Sequence, residues 1–232
     1  MMRREETARE YLDGPAAPAD LAASLDDIDR LNAWFGGYAL TLREIRHTAA
    51  PLVRGRSFVV VDVGGARGDL AVRVARWARR VGRQVFIVVV DRNATSLGLG
   101  ASACAAYGEI VRVRADASAL PIRAASADVV TSSLVLHHLG PDAVVASLAE
   151  MAAASRGVVV VNDLLRAWWS WTLVWLATRL LARHRFSRHD GPLSVRRAYA
   201  PDELRVLADR AGLTTLRILP RRLRARVLVV WP

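Results

Sequence analysis

From Ser57 onward, short valine-rich runs alternate with stretches of helical periodicity, and few architectures accommodate that alternation. Phe58–Val63 is continuous and largely β-branched, as suits a strand buried on both faces of a parallel sheet. Residues 69–81 follow as an amphipathic helix, with Leu70, Val74 and Trp77 on one face and Arg73, Arg76 and Arg80 on another, ended by Gly82. Further strands are predicted at 85–90, 110–114, 127–132 and 158–161, a small-residue helix at about 94–107, and a helix opened by Pro141 that runs to about Ala154. A short helix at 201–211 precedes strands at 215–219 and 225–230, which should pair antiparallel. Five β-α units and a terminal hairpin predict a doubly wound α/β sheet of seven mostly parallel strands. Such sheets bind ligands just past the carboxyl ends of their strands.

The chain has 232 residues, 53% of them hydrophobic, which suits one α/β domain with a helical extension. Residues 1–50 read as helical: Leu21, Leu25, Ile28 and Leu31 share a face, and Gly36-Gly37 separates that helix from a second at about 38–48. The expected organisation is a helical N-terminal cap over 1–55 and an α/β domain over 56–232, with an insertion at 164–200.

The strand ends carry the chemistry. The first strand runs into Asp62-Val63-Gly64-Gly65-Ala66-Arg67-Gly68-Asp69, a tight turn that lets a ligand approach the backbone. A dinucleotide fingerprint would need glycine at 64, 66 and 69, and only Gly64 satisfies it. The second strand ends in Asp91-Arg92-Asn93; a carboxylate there can accept both hydroxyl protons of a ribose, and Asn93 can cap a helix. The third leads to Asp116-Ala117, the fourth runs through Ser133 to His137-His138, and the fifth ends in Asn162-Asp163.

The turn resembles motif I of class I S-adenosylmethionine-dependent methyltransferases, an acidic residue followed by Gly-x-Gly-x-Gly. Asp62, Gly64 and Gly68 match, and Ala66 replaces the middle glycine. The later strand ends resemble that family in order, over about residues 57–163. The resemblance implies a Rossmann-like fold, S-adenosylmethionine as cofactor, and a cofactor site of Asp62, Gly64, Gly65, Gly68, Asp91, Arg92, Asp116, Ala117 and Ser133. The segments Trp34-Phe35-Gly36-Gly37 and 188–194 look like a bacterial subgroup associated with polyketide or quinone-like substrates. O-methylation of a phenolic, quinone-like or polyketide-like acceptor is therefore expected. Rival readings are a cofactor-binding protein without transfer and a nucleic-acid methyltransferase.

Removing a proton from such an acceptor favours histidine. His138, just past the fourth strand, is the first candidate base, with a capping or packing role as the bland alternative. His189 with Asp190 is a second pair, unless it lies in a surface loop, and Asp163 could orient a histidine or the substrate. No Cys or His cluster shows metal-ligand spacing along the chain, so no metal is expected.

The formal net charge is +11, and all 33 basic residues are arginine. No aromatic-interleaved basic motif accompanies that charge, which argues against nucleic acid. The single cysteine, Cys104, and the absence of a signal-like apolar core in residues 1–15 predict a cytoplasmic protein. Four of the seven tryptophans fall in Trp168-Trp169-Ser170-Trp171-Thr172-Leu173-Val174-Trp175. That helix is apolar on more than one face, so it should be a lid over the site, an interface such as a homodimer contact, or a peripheral membrane contact.

Overall fold

In the computed structural model of the chain, residues 2–52, 55–221 and 225–231 are described. Valine-rich runs form the middle of one seven-stranded sheet: β1 (Phe58–Val63), β2 (Val85–Asp91), β3 (Ile110–Arg114), β4 (Ala127–Ser133), β5 (Ser155–Leu164), β6 (Arg217–Arg221) and β7 (Arg226–Trp231). Their spatial order is β3-β2-β1-β4-β5-β7-β6. The first five strands are parallel, and β7 runs antiparallel to both β5 and β6. This is the predicted Rossmann-like architecture. The order reverses at β1 and β4, where a doubly wound sheet opens a crevice for ligands.

The helices are α1 (Pro18–Trp34), α2 (Gly37–Ala49), α3 (Asp69–Arg80), α4 (Ala94–Leu99), α5 (Ala101–Ala105), α6 (Pro141–Ala154), α7 (Trp168–Leu181), α8 (Arg185–Arg197) and α9 (Pro201–Arg210). Each face of the sheet buries its own core. Val61, Val63, Val130, Leu148, Met151 and Leu204 pack on one side. Phe58, Val60, Val74, Ile87 and Ile45 pack on the other. At the far end from the crevice, Asp128 ties β1 to β4 and β5 by accepting from Arg56, Val59 N and both arms of Arg156 at 2.8–3.0 Å.

Several predicted elements differ; the strand expected at 215–219 lies at Arg217–Arg221. The helix expected over 94–107 is broken into α4 and α5 at Gly100, where a Cβ would stand 2.0 Å from the Arg67 carbonyl oxygen. The fifth strand is longer than its apolar run, because pairing with β4 on one side and β7 on the other extends it to Asn162, Asp163 and Leu164. His189 and Asp190 lie in α8, within the insertion. No helix among the described residues is long and apolar enough to cross a membrane.

Candidate active site

A cavity of about 950 Å³ opens at the carboxyl ends of β1, β2 and β4. Its first half is the glycine turn. Gly64 holds φ 71°, and a Cβ there would come 2.3 Å from Val135; at Gly65 it would come 2.7 Å from Asp62 and Val89. Ala66 occupies the left-handed region at φ 47°, which costs an L-residue about 1 kcal/mol. Its N–H is held by Asp91 Oδ2 at 2.8 Å, while Asp91 Oδ1 accepts from Asn93 N–H at 2.8 Å. Each of these oxygens keeps a further lone pair for a ligand hydroxyl. Asn93 caps α4, as its sequence position suggested. Asp116 accepts from the Ser118 hydroxyl at 2.6 Å and its N–H at 2.9 Å, and these bonds hold its carboxyl below the usual range.

Asp62 is buried at 3% exposure, and no hydrogen bond reaches its carboxylate among the described residues. Desolvation, then the neighbouring charges of Asp91 and Asp69, push its pKa up to about 7. A carboxylate so placed suits a cationic partner such as the ammonium of a methionyl group. Asp62, Gly64, Gly65, Asp91, Arg92, Asp116, Ala117 and Ser133 all line the cavity. Gly68 does not; with φ 84° it is the N-cap of α3, and a Cβ there would sit 3.1 Å from Cys104 Sγ.

The second half of the cavity is built around two adjacent histidines. After β4 the chain passes Leu134 at φ 60° and enters a 3-10 turn, Leu136–His138. His137 Nδ1 lies 2.6 Å from Asp163 Oδ1, and Asp163 Oδ2 also accepts the His137 backbone N–H at 3.2 Å. Burial opposes ionisation of Asp163, but His137 and the Leu164 amide outweigh it, so its carboxyl sits below the usual range. His138 Nδ1 lies 2.7 Å from Asp13 Oδ1. Burial opposes Asp13 too, yet His138 and Arg197 keep it ionised, Arg197 donating at 2.5 Å.

The opposite ring nitrogens, Nε2 of His137 and of His138, each stand 3.9 Å from a carboxylate oxygen of Glu10. Glu10 is 4% exposed, and its Oε1 has no hydrogen-bond partner among the described residues. Desolvation pushes its pKa up to about 7, although His138 and Arg197 oppose the shift. Glu10, His137 and His138 also offer three ligand atoms within 4.8 Å of one another, a cluster that spacing along the chain did not reveal. Its Glu comes from an N-terminal segment strapped across the site. Arg4 Nε donates to Arg197 O at 2.8 Å, and the N–H groups of Tyr11 and Leu12 donate to Asp190 at 2.9 and 3.2 Å.

The structure therefore brings His138 and the expected cofactor residues other than Gly68 to one cavity, while Asp163 lies behind the wall and reaches it through His137. It places His189 outside the cavity wall: Nδ1 contacts Asp190 at 2.7 Å, the ring packs on Tyr11, and the side chain is 44% exposed. Glu10, Asp13 and Arg226 were not singled out from the sequence. Arg226, at the start of β7, is 7% exposed and lines the cavity; it donates to Asn32, and its Nη1 has no partner among the described residues. Leu21, Leu25, Ile28 and Phe35 from the α1 region and Leu173 and Val174 from α7 add an apolar part of the wall, and Ser24, Asn32, Ser187, Asp190 and Ser194 add a polar part.

A glycine turn followed by three strand-end acids, on this strand order, is the arrangement of a class I methyltransferase. Residues 60–156 match the family model described as a methyltransferase domain. The chain also resembles a ubiquinone/menaquinone biosynthesis C-methyltransferase of Rhizobium etli, 38% identical over 77 residues, covering 32% of this chain and 29% of the relative. The chain thus matches under a third of that curated relative's length. Among solved structures, a SAM-dependent methyltransferase from Aquifex aeolicus superposes with a TM-score of 0.61 at 14% identity, covering 93% of this chain and 98% of that one. The magnesium protoporphyrin IX methyltransferase of Synechocystis PCC 6803, solved with bound SAH, gives 0.54 at 14% identity, covering 88% and 82%. Residues 60–156 thus carry a methyltransferase domain, and in motif order and strand order the chain resembles the class I S-adenosylmethionine-dependent methyltransferases.

Proposed function

We propose that this protein moves the methyl group of S-adenosylmethionine onto a small, largely apolar acceptor that bears a weakly acidic hydrogen, with His137 taking up the proton. The observation that carries this reading is that His137, held through Nδ1 by the buried Asp163, lines one cavity with the glycine turn and the acids Asp62, Asp91 and Asp116. The sulfonium of the cofactor supplies an already activated methyl group. The tasks left to the protein are binding, alignment and proton transfer.

Asp62 would meet the methionyl ammonium, Asp91 and Arg92 the ribose side, Asp116 and Ala117 the adenine, and Ser133 the methionine end. Asp163 fixes the His137 ring through Nδ1, which leaves Nε2 to take the acceptor's proton. His138, the first candidate from the sequence, is held by Asp13 in the same way and is the alternative base. Glu10 lies between both Nε2 atoms and can share the proton that either receives. Nη1 of Arg226, without a partner among the described residues, suits an acceptor oxygen that gains negative charge on deprotonation. Residues 1–55 act as the cap and 164–200 as the lid that keep water from the acceptor.

Transfer to oxygen of a phenolic, quinone-like or polyketide-like compound is the first reading. Transfer to carbon is the second, and the C-methyltransferase name of the Rhizobium relative favours it. The test is turnover to S-adenosylhomocysteine across a panel of phenols, quinones and enolisable ketones, with the methylated atom read by carbon NMR. His137→Gln should lower the rate by about 10²–10⁴-fold with little change in cofactor affinity. Near-normal turnover in that variant would move the role to His138. Cofactor binding with no turnover on any acceptor would favour a binding protein without transfer.

A further inference from the structure

The outward face of α7 has no part in the reading above. Trp168, Trp175, Leu176, Arg179 and Leu180 are all exposed, and their spacing sets them in one stripe along the helix. Trp168 is 74% exposed, Leu180 71% and Leu176 46%. The opposite face of the same helix, Leu173, Val174, Ala177 and Thr178, walls the cavity. A helix that covers a core usually turns a polar face to water. This one turns tryptophan and leucine outward as well as leucine and valine inward. Other exposed large hydrophobics, such as Tyr11, Val81 and Val206, stand on separate elements.

Charge sets the nature of the partner. Residues 164–189 contain five arginines and no acidic residue. Arg179, Arg183, Arg185 and Arg188 are exposed, and Arg179 lies 5.8 Å from the Trp175 ring centroid. A second copy of the chain docked here about a twofold axis would bring arginine against arginine, which disfavours self-association. An anionic surface meets the same arginines with opposite charge. Fourteen residues span about 21 Å and are not enough to cross a bilayer, but they suffice to lie in its interface.

We propose that α7 docks this protein on an anionic lipid surface, with Trp168, Leu176 and Leu180 entering the headgroup layer and the flanking arginines meeting lipid phosphates. Tryptophan favours that depth because its ring is apolar while its N–H still finds water. The helix then separates the membrane on one face from the cavity on the other. The inference rests on the surface alone and does not require methyl transfer.

Co-sedimentation of the full chain with vesicles tests it, comparing phosphatidylcholine alone with phosphatidylcholine containing about a third phosphatidylglycerol, at about 0.1 M salt. We expect binding to the anionic vesicles with a blue shift of tryptophan emission, weakened as salt is raised. The paired variants Trp168→Ser/Leu180→Ser and Arg179→Glu/Arg183→Glu should each weaken binding by about tenfold or more. Their melting temperature and affinity for S-adenosylhomocysteine should stay at wild-type values, which separates lost docking from lost folding. Equal sedimentation with both vesicle types, variants that bind as wild type does, or a concentration-dependent dimer that buries Trp168 would each overturn the proposal.

Discussion

Glu10 stands between two histidine rings with one carboxylate oxygen unpartnered, and that placement has a thermodynamic signature. Burial lifts its pKa from 4.5 to about 7, so the folded protein keeps this proton to a higher pH than the unfolded chain does. Stability from this group is therefore complete below about pH 4.5 and drains away as pH rises to about 7, with no further change above. A displacement of that size corresponds to about 3 kcal/mol, a large fraction of the total for a domain of this length. Glu10→Gln keeps the shape of the side chain and removes the ionisation. Urea unfolding of both proteins between pH 4.5 and 8 isolates the effect, because Asp62 titrates in the same direction in both and cancels in the difference. Wild-type stability should fall relative to the variant by up to about 3 kcal/mol across that window. Two parallel curves would show that Glu10 is ionised at no extra expense, and the assignment of an unpartnered, desolvated carboxyl to this site would fail.

Other outcomes follow from the same geometry. Asp91→Asn should weaken S-adenosylmethionine binding by about 1.5–3 kcal/mol in a calorimetric titration, since it removes one acceptor and sets an amide against the Ala66 N–H; unchanged affinity would mean the ribose lies elsewhere. If Asp62 meets the methionyl ammonium, cofactor affinity should rise as pH passes about 7 and the carboxyl ionises, and Asp62→Asn should flatten that dependence. Dialysis against a chelator should leave turnover intact, whereas excess Zn²⁺ should inhibit by taking both Nε2 atoms and Glu10; loss of turnover on chelation would assign the trio a resident metal instead.

The strands and turns that carry the proposed cofactor residues were legible because each of their signals is local. Phe58–Val63, Ile110–Arg114 and Pro141–Ala154 were readable to the residue from apolar runs and a helix-opening proline. The acids at 62, 91 and 116 sit at or just past the ends of strands, and those ends fix where their side chains emerge. The acceptor half resisted because its geometry is tertiary. Which of His137 and His138 is more deeply buried depends on a 3-10 turn of three residues, and Glu10 reaches them from 127 and 128 positions away. Asp190-Gly191-Pro192 reads as a break, yet it lies within α8. Gly191 there faces Thr178 and Val174 on α7 so closely that a Cβ would come 2.7 Å from Thr178, and packing overrides local preference.

The strap of N-terminal residues and the late strand β7 meet at the same cavity, and Arg226 reaches back 194 residues to Asn32. A chain emerging from the ribosome can lay down β1 to β4 and the glycine turn well before β7 exists. The walls around the acceptor can form only when both ends of the sequence are in hand. Contacts of such long separation carry the largest loop-closure entropy and form slowly. The glycine turn is therefore expected to form before the walls contributed by the two ends of the chain, and S-adenosylhomocysteine added during refolding should bind before Arg226 meets Asn32; binding only after complete refolding would refute that order.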